Sequence, residues 1–133
     1  MSTFVESILI FYKKSKILSI YIAYNLLYNI KYKNTNHEIL IYGFGSDGMV
    51  SVSKDILKII GDYTNKYVQG YFQYDSKKSG GVTRSHIRIS DNEIKAPYYV
   101  DNPSLVVVSK EEYIYKYDVV DNMKEEGILL LNT

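Results

Sequence analysis

Three short runs in this 133-residue chain are almost wholly apolar: Ile39-Leu-Ile-Tyr42, Leu105-Val-Val-Val108 and Ile128-Leu-Leu-Leu131. A strand with one wet face alternates polar and apolar residues, so such a run reads as a strand covered on both sides. Between the runs the period changes. Met49, Val52, Ile56, Ile59 and Ile60 recur at three- and four-residue spacing, which marks one helix face, and Gly61 follows as a stop signal. Tyr67 to Tyr74 is rich in aromatic and β-branched residues and reads as a strand. Val82 to Ile89 alternates polar and apolar residues after a Ser79-Gly-Gly81 turn and reads as a half-exposed strand. Glu111 to Met123 suits a helix that Gly127 breaks. The expected order is β-α-β-β-β-α-β, an α/β fold whose sheet is parallel at least in its core.

The first apolar run enters Gly43-Phe-Gly45-Ser-Asp-Gly48, a G-x-G-x-x-G loop between an expected strand and an expected helix. In that context the first glycine permits a tight turn and the second lets backbone approach a diphosphate. The third allows close packing of helix on strand, and the helix N-terminus offers N–H groups to the anion. A purely structural turn is the other reading. Asp75 stands at the end of the next expected strand, where an acid would hold a ribose hydroxyl; as a turn former it has an equally ordinary role. Lys77 and Lys78 follow, and suit a phosphorylated ribose, as in NADP or coenzyme A, unless they are simply a solvated pair.

Composition removes much other chemistry. The chain has no cysteine, which excludes disulfides, thiolate zinc sites, iron–sulfur clusters and thiol nucleophiles within it. Two histidines make a histidine-built metal site improbable, and a net charge of +1 argues against nucleic acid as a partner. His86 lies on a strand with no acid placed beside it by spacing, and reads as a group for structural hydrogen bonding or interdomain contact. No catalytic or metal-ligating residue is expected. Charge divides near Asn36: residues 1–36 hold five lysines and one glutamate, whereas the remainder carries a net negative charge. Ile17 to Ile30 is too short and too interrupted by Asn25 and Asn29 to span a membrane. Residues 1–36 are therefore taken as a leader of unknown role, with membrane-surface contact and organelle targeting as alternatives and the cytoplasm as the default compartment.

The run Tyr71-Phe-Gln-Tyr-Asp75-Ser-Lys-Lys-Ser-Gly80-Gly-Val-Thr83, with Ser85-His-Ile-Arg88, is more specific than a generic strand and loop. Together with Tyr42-Gly-Phe-Gly-Ser-Asp-Gly48, Val68-Gln-Gly-Tyr71 and Ala96-Pro-Tyr-Tyr-Val100, it resembles the gamma domain of pyruvate:ferredoxin (flavodoxin) oxidoreductases, of the 2-oxoacid:acceptor family. The likeness runs from Ile39 to Thr133. It implies a Rossmann-like three-layer α/β domain at residues 37–133, mostly parallel and truncated relative to the family's. Such enzymes oxidatively decarboxylate pyruvate to acetyl-CoA. Thiamine diphosphate, magnesium and 4Fe–4S clusters would belong to the remaining domains or subunits, with ferredoxin or flavodoxin as acceptor of the whole enzyme. Coenzyme A would touch Gly45, Ser46, Asp47, Gly48, Met49 and one of Lys77 and Lys78.

Several residues depart from the family's pattern. Met49 stands where threonine is usual, Arg84 where a small apolar residue is usual, and Ser90-Asp-Asn-Glu93 is unusually acidic. The family also continues beyond Thr133. The resemblance thus implies a fragment that supplies part of a coenzyme A surface and is inactive alone. A free-standing module for NADP or coenzyme A, and a non-catalytic docking subunit, are the alternatives.

Overall fold

The computed structural model describes residues 9–10, 36–45, 47–75 and 81–132. Most of the leader, Ser46, Lys77 and Lys78 lie outside the described residues. The elements are β1 (Leu9–Ile10), β2 (His37–Phe44), α1 (Met49–Tyr63), β3 (Tyr67–Tyr74), β4 (Val82–Ser90), β5 (Leu105–Val108), α2 (Glu112–Lys116) and β6 (Ile128–Leu131). They form one sheet in the order β1-β6-β5-β2-β4-β3.

The α/β class holds, and the sheet, expected to be mostly parallel, is mixed. β1, β6, β5 and β2 pair in parallel, whereas β4 runs antiparallel to both β2 and β3. A β2–α1–β3 unit would normally set its two strands side by side. Here β3 and β4 form a hairpin that inserts β4 between them, with Leu40 opposite His86 and Tyr71 opposite His86 from the other side.

Strand alternation sends successive side chains to opposite faces. Ile39, Ile41, Ile87, Ile89, Leu105 and Val107 pack on one face against Met49, Val52, Ile56 and Ile60 of α1. Leu40, Tyr42, Val106, Val108 and Leu131 pack on the other against Tyr113, Val119 and Met123. The apolar runs are thus covered on both sides, and the domain has three layers.

Three expectations are corrected by the packing. α1 passes through Gly61 and ends at Thr64, whose N–H and hydroxyl both donate to the Ile60 carbonyl, at 3.1 and 2.6 Å. The second helix stops at Lys116 rather than near Met123. Tyr117 to Gly127 instead follows an irregular path that lays Val119 and Met123 onto the sheet. β4 is buried rather than half-exposed, because segment 96–100 covers its polar face.

Candidate functional site

α1, following β2, covers one face of the sheet; α2, following β5, covers the other. Since β2 and β5 are adjacent and parallel, their outgoing chains part company and leave a crevice beyond their C-terminal ends. The glycine loop lies at that crevice. Ser109 and Lys110, the first residues after β5, face it from the other side.

The three glycines divide their tasks differently from the expectation. Gly43 provides the close packing: a Cβ there would lie 2.6 Å from Met49 Cβ and 3.0 Å from Thr83 Oγ1. Thr83 Oγ1 is buried and lacks a hydrogen-bond partner among the described residues. Gly48 makes the turn into α1 with φ of 84°, a left-handed conformation that favours glycine. Gly45 faces open space, with nothing within 4 Å of its Cβ position. The open side of this turn is therefore its Cα face, since its N–H is donated to the Gly81 carbonyl.

Asp47 is committed within the loop. Its carboxylate accepts the Phe44 N–H at 3.0 Å, the Met49 N–H at 2.9 Å and the Ser109 hydroxyl at 2.7 Å. One donor of the α1 N-terminus therefore already holds a carboxylate, which also ties the β2 loop to the end of β5. The side chain acts as an anchor that sets the loop's shape. Asp47→Ala removes all three bonds and is expected to cost about 1–2 kcal/mol, as loss of a helix-capping group does. A shift of the urea midpoint at unchanged slope is the measurement, and an unshifted midpoint would refute the anchoring role.

Asp75 and Gly81, which flank the segment carrying Lys77 and Lys78 in the sequence, both lie at this same end of the sheet. Asp75 N–H donates to the Val82 carbonyl at 3.0 Å, and Gly45 N–H donates to the Gly81 carbonyl at 3.1 Å. On the far side of the crevice, the Lys110 ammonium lies 4.4 Å from the Phe44 ring centre and 3.0 Å from Glu112. Asn132 donates to the Ser109 carbonyl at 3.0 Å. Ser109, Lys110 and Asn132 were missed by sequence reasoning; their only signal is that each lies within two residues of the end of a parallel strand. Burial, then Tyr117 and the carboxylates of Asp47, Glu112 and Asp75, hold the nearby Tyr113 phenol above its ordinary pKa, so it stays neutral.

The remaining polar side chains of β4 are used structurally. His86 Nδ1 accepts the Val100 N–H at 3.2 Å, so Nε2 carries the proton and donates to Gln73 Oε1 at 3.1 Å. Its ring stacks on Tyr99 with centres 4.4 Å apart. Arg88 donates to Glu38, Gln69 and the carbonyls of Tyr98 and Tyr99. Among the described residues no cluster of histidines and acids is arranged to hold a metal ion, and no helix is long and apolar enough to cross a membrane.

Comparison with known proteins agrees with this architecture. Residues 38–133 match the family model described as "Pyruvate ferredoxin/flavodoxin oxidoreductase". The chain is 48% identical over 91 residues to a pyruvate-flavodoxin oxidoreductase of Enterobacter agglomerans, covering 68% of this chain and 8% of that protein. It is 47% identical over 92 residues to the pyruvate:ferredoxin oxidoreductase of Moorella thermoacetica, covering 69% and 8%. A crystal structure of the pyruvate oxidoreductase subunit PORC of Thermotoga maritima superposes with a TM-score of 0.60 at 32% identity, over 74% of this chain and 50% of that one. The chain thus spans a small part of its curated relatives and half of the solved subunit. A mixed α/β sheet carrying its glycine loop at a strand-end crevice, and a family match across most of the sequence, place this chain in the pyruvate ferredoxin/flavodoxin oxidoreductase family.

Proposed function

We propose that residues 37–133 are part of the gamma-type unit of a pyruvate:ferredoxin or pyruvate:flavodoxin oxidoreductase, and that they supply part of its coenzyme A surface. The leader 1–36 stands apart from this unit in charge and lies outside the family match. The observation that carries the reading is the open Gly45 turn at the crevice between β2 and β5. One side of that turn is unobstructed, and its N–H meets the carbonyl of Gly81, three residues after Lys78 in the sequence.

The chain's own residues would act by binding and orientation. Gly45 and Gly48 give backbone access, while Ser46 and one of Lys77 and Lys78 would meet phosphate oxygens by hydrogen bonding and charge. Asp47, its carboxylate occupied, would hold the loop rather than greet an anion. Met49 would place its backbone at the α1 N-terminus but supply no hydroxyl. Lys110 adds a cation across the crevice. Held in this way, a thiol that accepts an acyl group would be positioned for a reaction whose other groups lie elsewhere in the enzyme, and the benefit is one of proximity. The thiamine diphosphate, magnesium and 4Fe–4S chemistry would reside in those other parts.

Calorimetric titration of the chain with coenzyme A tests the reading. Millimolar affinity, weakened further by Lys77→Gln with Lys78→Gln, is the expected result for a partial pocket. Affinity unchanged by that pair would overturn the assignment. Micromolar binding of NADP would favour a free-standing nucleotide module instead. With pyruvate, thiamine diphosphate, coenzyme A and a viologen present, the chain alone is expected to show no turnover.

A further inference from the structure

A second cavity of about 220 Å³ lies on the opposite face of the sheet from α1. Its floor is β2 and β4, and its walls are segment 100–103 and the irregular path at 118–123. This volume is below the roughly 300–1,000 Å³ of sites for drug-sized ligands, so its guest is smaller. Leu40, Val100, Val119 and Met123 line the apolar part, and Arg84, Asp101 and Asp118 bring charge of both signs to the same space.

We propose that this cavity binds a small zwitterion of amino-acid size, its carboxylate on Arg84 and its ammonium on Asp118 and Asp101. Arg84 is held in place by the ring faces of Tyr42 and Tyr117, with its guanidinium carbon 5.6 and 5.0 Å from their centres. It forms no ion pair among the described residues, and neither do Asp101 and Asp118. Arg88, two residues along the same strand, shows the contrast: its guanidinium is enclosed and engaged with Glu38, Gln69 and two carbonyls. A positioned guanidinium with donors to spare binds a carboxylate with charge-assisted, bidentate geometry.

The charges select the class of guest. A simple carboxylate would gain Arg84 but face two aspartates, and a simple amine would gain the aspartates but face Arg84. A molecule bearing both groups satisfies both walls and sets its side chain on the apolar floor. His86 also borders the cavity, but both of its nitrogens are already engaged. None of the cavity's lining residues belongs to the glycine loop.

Alanine, propionate and ethylamine form a matched set of probes, one with both charges and two with one each. In an amide-resolved NMR titration of the full chain, alanine or its larger analogue leucine is expected to shift Val100, Val119 and Met123 in a saturable manner. Propionate and ethylamine are expected to leave those amides unmoved. Arg84→Ile and Asp118→Asn should each weaken binding by about tenfold or more, the scale of one lost charge-assisted contact. Asp118 is exposed, so its variant keeps the test alive if the arginine variant does not fold. Equal shifts with propionate, retained affinity in Asp118→Asn, or no saturable response to either amino acid would overturn the proposal.

Discussion

Replacing Arg88 by methionine is expected to remove about 3–5 kcal/mol of folding free energy, because four charge-assisted hydrogen bonds from one buried guanidinium go with it. The side chain is only 5% exposed, yet it serves four partners: Glu38 Oε1 at 3.2 Å, Gln69 Oε1 at 3.0 Å and the carbonyls of Tyr98 and Tyr99 at 2.7 and 3.0 Å. These lie on β2, β3 and the segment that covers them. Methionine would match the volume but leave a part-buried carboxylate and three further acceptors without their shared donor. Arg88→Lys should recover only part of the loss, since an ammonium lacks the planar fork that reaches two carbonyls and a carboxylate together. For a domain of this size the methionine variant should melt more than about 10 °C lower. A loss under about 1 kcal/mol in urea unfolding would show that water replaces the guanidinium readily, and would refute its role as the tie between three strands.

Acid should also weaken the fold through His86. Desolvation, then the charges of Arg84 and Arg88, lower its pKa from 6.5 to about 4. The unfolded chain thus takes up the proton first. The contribution of the neutral imidazole is complete above about pH 6.5 and drains away as the pH falls towards 4, reaching a deficit of about 3 kcal/mol once both states are protonated. The hydrogen bonds give the same direction, because a protonated Nδ1 would confront the Val100 N–H with a second donor. Carboxylates elsewhere titrate in part of this range, so the comparison is between the native chain and His86→Gln. Urea unfolding at about pH 7.5 and about pH 4 should show a steeper loss in the native chain. Parallel pH dependences in the two proteins would refute the assignment.

The sequence was most legible where one residue type repeats over a whole element. Leu105–Val108 and Ile128–Leu131 coincide with their expected bounds because their apolar side chains go into the two core layers. The edge strand Tyr67–Tyr74 does so on its aromatic and β-branched content, although neither of its faces is fully buried. It was least legible where a local signal competed with packing. Gly61 reads as a helix stop, but its Cβ position meets only Val68 Cγ2 at 3.7 Å, so nothing local requires the helix to end there. After Lys116, helical spacing yields to the turn-forming Asp118, Asp121 and Asn122, which allow both Val119 and Met123 to reach the sheet. The polar residues of β4 read as solvent-facing because their partners, Glu38, Gln73, Tyr98 and Val100, are supplied from remote parts of the chain. The candidate site divides similarly. The glycine loop is a contiguous motif, whereas Ser109 and Lys110 join it only because β5 happens to lie beside β2.

The place of β2 in the sheet bears on how the chain reaches its native state. Of the three strands β2, β4 and β5, it leaves the ribosome first, yet both of its neighbours are synthesised later. The β3–β4 hairpin and α1 can form from nearby residues while β2 still lacks a partner on either side. Only when Leu105 to Val108 arrives does its second ladder close. Such long-range pairing is slow because the intervening chain must surrender its freedom before any bond rewards it. During translation, Ile39-Leu-Ile-Tyr42 is therefore the segment most in need of shielding. A chaperone that holds extended apolar peptides should crosslink there on stalled nascent chains, and release it once β5 has emerged.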